Sequence, residues 1–394
     1  MASLALSCFT PNRPNRKRLL VSKRLKVLAG IAGVALASSM LAAMPAGAAA
    51  SKAATAKSAS EVGGLAGLIK LAKAEKELNV IALPRDWANY GEMIDTFAKK
   101  YGIKVNSQNP DGSSADEVAA VKTLKGQSRQ PDVVDVGVAF AVQGADEGLW
   151  APYKVATWGD IAADAKETNG LWYYDYGGYI AIGYDAKRVS IPPKSFKDLL
   201  NPRYKGQVAL NGNPAKANAA FSAVYASSIA NGGGLQDITK GLDFWANMKK
   251  VGNFIPVEAT PATVQSGQTP ITLDWDYLQA KYSKDAAGKV DWKLVVPSDA
   301  VFFGGYAQAI VKNSPHPAAA RLWQEFLYSD EGQNIWLKGG ARPIRLPAMV
   351  KKSTANKTAI KSLPVTPKGA TATYPSLDDV VTAKSLVATL WGTL

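Results

Sequence analysis

The stretch that decides the fold is Gly304-Gly305-Tyr306-Ala307-Gln308-Ala309-Ile310, continued by Lys312-Asn313-Ser314-Pro315-His316-Pro317-Ala318-Ala319-Ala320-Arg321-Leu322-Trp323 and by Phe326-Leu327-Tyr328-Ser329-Asp330-Glu331-Gly332-Gln333. It reads as a strand, a Pro-rich turn, an amphipathic helix and a second short helix opened by Ser329. Pro315 and Pro317 fix the backbone at a helix entry, where a missing N–H costs little, and Leu322, Trp323, Phe326 and Leu327 form one apolar face at helical spacing. Taken alone, such a helix fits any α/β core.

Working outward, a helix over 65–77 leads into a buried-type strand over 78–83 that ends at Pro84. A loop over 84–90 opens a helix through Met93, Ile94 and Phe97 that stops near Gly102, and a strand follows over 103–105. The loop Pro110-Asp111-Gly112-Ser113-Ser114 precedes a helix over 115–125 and a strand over 132–136. This β-loop-α-β alternation predicts a parallel α/β sheet with ligands at the carboxyl ends of its strands.

Residues 1–26 carry seven basic side chains and no acidic one, and residues 27–44 are apolar and small. That pattern predicts an export signal over 1–48, with Ala46-Gly47-Ala48 as the cleavage motif and a true start as late as Val21 left open. Removing it halves the formal net charge of +14, so the basic excess gives no support to nucleic-acid binding. The one cysteine, Cys8, precedes the apolar run, so the mature chain is expected to lack thiols, disulfides and a lipid anchor. Residues 49–64 read as a solvated tail.

The string from Gly304 to Gln333 resembles the late segment of bacterial ABC-transporter solute-binding proteins, and the resemblance extends from about Leu78 to Leu346. It is nearest to the branch that handles polyamines, ferric iron, thiamine and organophosphonates. The resemblance implies a type II periplasmic-binding-protein fold: two α/β lobes joined by hinge strands, with the ligand cleft between them. Lobe one would take residues 65–179 and 300–340, and lobe two residues 180–299. A C-terminal segment, 341–394, would lie mainly on lobe two. The chain crosses first near 176–181 and returns over 301–310. The implied role is capture of a small solute in the periplasm by a monomer and its delivery to a membrane permease and ATPase, without a cofactor.

Candidate ligand residues cluster where aromatic and acidic side chains meet at loops. Asp274-Trp275-Asp276 ends a strand, and the resemblance places Asp276 where a polyamine-binding relative pairs an ammonium. A ferric-binding relative has adjacent tyrosines in this turn, whereas here Asp276 precedes a lone Tyr277. Asp86-Trp87 and Tyr173-Tyr174-Asp175-Tyr176 repeat the chemistry, because a carboxylate and an aromatic face both stabilise an ammonium. Asp135 ends a strand, and Tyr306 follows two glycines at the return crossing. Ser113 and Ser114 each have an acid three residues on, which is a capping box, or else they present a helix N-terminus to a ligand oxygen. Asn211 and Lys216 lie in a loop that resembles an anion-holding loop. A small organic cation is therefore the expected ligand, with an organophosphonate, a sugar phosphate or ferric iron as alternatives.

Catalysis finds little purchase. His316, the sole histidine, sits between two prolines in what reads as an exposed turn, and neither a nucleophile elbow nor a P-loop is present. Asp274 and Asp276 share one turn, which gives a glycosidase pair no second wall. A binder and not an enzyme is expected, and one histidine leaves no multi-histidine metal site.

Overall fold

The computed structural model describes residues 52–365 and 375–394, so the expected export signal lies outside the described residues. Parallel strands β1 (Glu77–Ile81) and β2 (Lys104–Gln108) form a two-stranded sheet. The larger sheet contains β3 (Val133–Gly137), β4 (Trp150–Ala151), β5 (Tyr173–Asp185), β6 (Val208–Leu210), β7 (Ile271–Trp275), β8 (Trp292–Val295), β9 (Phe303–Val311) and β10 (Arg342–Pro343). Its order is β3-β9-β5-β7-β6, with β4 beside β9 and with β8 and β10 beside β5. The molecule is thus α/β as expected, but its main sheet is mixed: only β6 and β7 run parallel. The reason is that β5 and β9, which run in opposite directions, lie side by side at its centre.

Strand β5 changes partners midway. Residues from Tyr173 to Tyr179 pair with β9, while Ile180 to Asp185 pair with β7 and β8. Close approach at the change-over demands glycine: a Cβ on Gly305 would meet the Tyr176 carbonyl oxygen at 2.2 Å. Buried Asp276 reinforces the crossing by accepting the Tyr179 N–H at 3.1 Å and pairing with Arg342 Nη1 at 2.7 Å. The Arg342 guanidinium also lies 4.9 Å above the Tyr179 ring.

Helix α1 (Gly64–Glu75) precedes β1, α2 (Tyr90–Tyr101) links β1 to β2, and α3 (Ser114–Thr123) links β2 to β3. Past β3 come α4 (Val138–Asp146), α5 (Asn218–Ala230), α6 (Thr239–Lys250), α7 (Pro261–Ser266) and α8 (Asp276–Asp285). The helices expected from the opening stretch are α9 (Pro317–Leu327) and α10 (Asp330–Lys338), and Ser329 Oγ caps the latter by accepting the Gly332 N–H at 3.1 Å. Leu322, Trp323, Phe326 and Leu327 are all buried, with Trp323 edge-on to Phe97 at 5.0 Å. The last helix, α11 (Leu377–Leu390), places Lys384 Nζ 3.8 Å over the Phe140 ring of α4. Trp391, just beyond it, packs against Trp245 of α6. The C-terminal segment therefore touches helices on either side of the β5 crossing. Among the described residues, no helix is long and apolar enough to cross a membrane.

Two expectations change. The segment read as a solvated tail is anchored over its described part: Ala53 and Ala56 are buried, and the carbonyls of Ala54 and Ala56 each accept from the Arg321 guanidinium at 2.8 Å. Arg321 is buried and spends its third donor on the Pro317 carbonyl at 3.0 Å. Its reach from α9 could not be read from an Ala-Ser-Lys-Thr segment. Nor is His316 a free turn residue, because Asp132 accepts its backbone N–H at 2.7 Å and contacts its Nδ1 at 2.8 Å.

Arg321→Leu should leave these carbonyls without donors, at a cost of about 1–3 kcal/mol. Denaturant titration should register that loss, and limited proteolysis should cut the freed segment around residues 52–62. Unchanged stability with an intact N-terminus would contradict the anchoring.

A second prediction concerns pH. Glu75 accepts the Ala318 and Ala319 N–H groups at the start of α9, and burial pushes its carboxyl up to about 7. The Asp132 hydrogen bond raises His316 from its ordinary value. Both groups hold protons more tightly when folded. Their stabilisation is complete below their unfolded values of 4.5 and 6.5, and it is lost as pH rises through the folded ones. The melting temperature should therefore fall between pH 5 and pH 8, by roughly 1–2 °C for each kcal/mol lost in a chain of this length, and Glu75→Gln should flatten the profile.

Candidate functional site

A cavity of about 590 Å³ opens where both halves of the sheet meet, a size suited to a whole organic solute. Of the residues singled out from the sequence, Asp86, Trp87, Ser113, Ser114, Asp135, Tyr176, Asn211 and Tyr306 line it. Asp175, Asp274, Trp275 and Asp276 do not.

The floor is aromatic and hydrogen-bonded. Trp87 Nε1 donates to Tyr176 Oη at 3.0 Å, and Tyr176 Oη donates to Asp135 Oδ2 at 3.1 Å. Tyr90 Oη donates to the same oxygen at 2.7 Å. Trp87 meets Tyr306 edge-on at 5.8 Å, and Tyr306 stacks with Tyr176 at 5.7 Å. Burial raises the phenols of Tyr90, Tyr176 and Tyr306 well above their ordinary range, so all three stay neutral, and the first two donate to Asp135. Asp135 lies in the middle of β3 and not at its end as expected; it is buried, and that burial pushes it up to about 6.

Ser113 forms the expected capping box: its Oγ accepts the Asp116 N–H while Asp116 Oδ2 accepts the Ser113 N–H at 2.9 Å. The first turn of α3 thus already holds a carboxylate. Ser114 Oγ instead accepts the Gly137 N–H at 3.1 Å, and Glu117, one turn on, accepts the Asp135 N–H at 3.0 Å. Burial drives the Glu117 carboxyl well above its ordinary value.

The four residues that miss the cavity are taken up behind it. Asp274 is fully buried and accepts from Asn211 Nδ2 at 2.7 Å and Tyr282 Oη at 3.1 Å, so it orients two side chains that do line the cavity. Burial pushes it up to about 7. Trp275 is core, with its Nε1 donating to Tyr306 Oη at 3.2 Å. Asp276 belongs to Arg342, and Asp175 accepts from Gln308 Nε2 at 2.9 Å and from the Tyr176 N–H at 2.6 Å. Lys216 is exposed and absent from the lining, though its carbonyl accepts the Ala115 N–H at 3.3 Å.

Sequence reasoning missed Asp111, Glu117 as a wall residue, Asn218, Glu258, Lys281, Tyr282 and Asp285. Glu258 had only an indirect signal: Thr260-Pro261 marks a helix start, which puts Glu258 in the loop that leads into α7. Lys281 and Asp285, four residues apart on α8, pair with one another. Asp86, Asp111 and Glu258 are exposed at the rim, and the charge of Asp111 adds to burial in raising Glu258.

The family model of bacterial extracellular solute-binding proteins matches residues 128–370. A Haemophilus influenzae protein described as uncharacterized is 26% identical over 261 residues, which cover 63% of this chain and 72% of that one. Among solved structures, the periplasmic binding protein AfuA of Actinobacillus pleuropneumoniae, with fructose-6-phosphate bound, superposes with a TM-score of 0.65 at 18% identity, covering 81% of this chain and 98% of its own. Iron-bound HitA of Pseudomonas aeruginosa does so with a TM-score of 0.56 at 19% identity, covering 79% and 99%. At such identities these structures speak for the two-lobed fold alone, and together with the family match they show that the chain belongs to the bacterial extracellular solute-binding proteins.

Proposed function

We propose that this chain is the periplasmic solute-binding component of an ABC importer and that its solute is a small organic cation of the polyamine type. The observation that carries the cation is the charge of the cavity wall. Asp86, Asp111 and Glu258 line its rim and Asp135 its floor, against one cationic side chain, Lys281, which is already paired with Asp285. An ammonium gains from such a wall and from the faces of Trp87, Tyr176 and Tyr306. An anion would have to displace Asp116 from the α3 N-terminus and tolerate the rim carboxylates, so the loop around Asn211 and Lys216 gives it weaker support.

Titration calorimetry with putrescine and spermidine tests the reading. Exposed pairings of the rim kind are worth about 1 kcal/mol or less, so Asp111→Asn and Glu258→Gln should each weaken binding up to about fivefold. Asp135→Asn removes a buried charged acceptor and should weaken it at least tenfold. Binding of fructose-6-phosphate, a phosphonate or ferric citrate, with amines ignored, would refute the cation.

Asp276 has a different expected outcome from these wall residues. Asp276→Asn breaks a buried ion pair, which costs about 3–5 kcal/mol of stability. At a temperature where the variant stays folded, its putrescine affinity should match that of the unaltered chain. A collapse of affinity without loss of stability would return Asp276 to the ligand.

A further inference from the structure

Beneath the cavity, Asp135, Asp175 and Glu117 arrive from β3, β5 and α3, all buried. Every donor that reaches them is neutral. Tyr90 and Tyr176 hydroxyls serve Asp135 Oδ2, Gln308 Nε2 and the Tyr176 N–H serve Asp175, and the Asp135 N–H serves Glu117. The other titratable groups facing the cluster are the phenols of Tyr277 on α8, Tyr306 on β9 and Tyr328 after α9, and the Asp116 carboxylate of α3, which acts on Glu117. Asp135 Oδ1 is buried, and no N–H or O–H donor of the described residues reaches it. Gln308, opposite Asp135 in the β3–β9 register, donates to Tyr90 Oη at 3.1 Å and to Asp175 Oδ2 at 2.9 Å, so both carboxyls belong to one hydrogen-bonded cluster.

Two ionised carboxylates side by side, shielded from water and without a counter-cation, are strongly disfavoured. A proton held between them removes one charge and supplies the donor that Oδ1 lacks. A cation entering the cavity supplies the same charge from the other side. Resting on the cation reading above, we propose that the site exchanges a proton for its ligand: Asp135 and Asp175 share one proton in the free protein, and a bound ammonium expels it to water.

The balance closes. An ammonium N–H comes to donate to the Asp135 carboxylate, the O–H between the two carboxyls breaks, and the proton leaves on water. The two carboxyls go from one negative charge to two, the bound ammonium returns the net charge of the site to its former value, and no bond within the ligand changes. The directions of titration agree, since burial raises both carboxyls and each is sensitive to the other. Glu117 stays outside the exchange, because it meets the pair only through the Asp135 N–H, while burial and the neighbouring Asp135 charge disfavour its ionised form. The consequence is a site that takes up its solute at neutral pH and gives it up on acidification.

Putrescine is the probe. Titrated at pH 7 in phosphate, HEPES and Tris, it should show a binding enthalpy that follows the buffer's ionisation heat with about one proton released per ligand. Its affinity should fall about tenfold for each pH unit below neutrality. Infrared spectra of the ligand-free chain at pH 7 should contain a protonated-carboxyl band that weakens in Asp175→Asn, and that variant should bind putrescine with little proton release. An enthalpy independent of buffer, or a band untouched by Asp175→Asn, overturns the exchange and leaves the cation reading standing. Failure of the unaltered chain to bind putrescine at any pH overturns the cation reading and the exchange with it.

Discussion

Everything in this molecule hangs on one continuous strand that belongs to two sheets' worth of partners. The 13 residues of β5 are almost all buried, and their hydrogen bonds pass from β9 to β7 and β8 between Tyr179 and Ile180. A backbone that must be satisfied on both flanks in both halves cannot shift register without turning its side chains over. It therefore holds Tyr176 toward the cavity floor while Asp175, its neighbour in sequence, points behind it. The glycines at 177 and 305 let the two backbones approach, and Asp276 with Arg342 pins the point of exchange from outside the cavity.

The second constraint is electrostatic. Buried carboxyl groups are expensive unless something positive or a proton accompanies them. The chain answers this in three ways within a short distance of the cavity. Asp276 receives a guanidinium, Asp274 receives neutral donors from Asn211 and Tyr282, and Asp135 receives two phenols yet keeps one oxygen unserved. Only the last of these faces the solute space. The distribution of partners, more than the presence of acids, separates the wall from its supports.

What could be read from the sequence follows the range of the interactions involved. Helices α9 and α10 announce themselves by apolar spacing, prolines and Ser329, all local signals, and the capping box at Ser113 is equally local. The strand-loop-helix succession was legible for the same reason. The antiparallel packing of β5 against β9 was not, because it depends on residues more than a hundred positions apart coming to lie side by side. Arg321 likewise reaches the N-terminal segment across 265 positions to the Ala56 carbonyl, and nothing in the composition of that segment signals an anchor.

The candidate site shows the same division more sharply. Asp86-Trp87 and Tyr176 line the cavity, and an acid beside an aromatic was a sound local reason to look there. Asp274-Trp275-Asp276 has the same local chemistry and a different fate, decided by what the fold delivers to it: Arg342, 66 positions on, reaches Asp276 before any ligand could. Conversely, Asp111 and Glu258 carry no aromatic neighbour in the chain to mark them, and they become wall residues only because separate loops bring them to one rim. A carboxylate's role in this protein is thus set by its remote partners. The same residue type is a structural strut where a cation is built in and part of the cavity wall where none is.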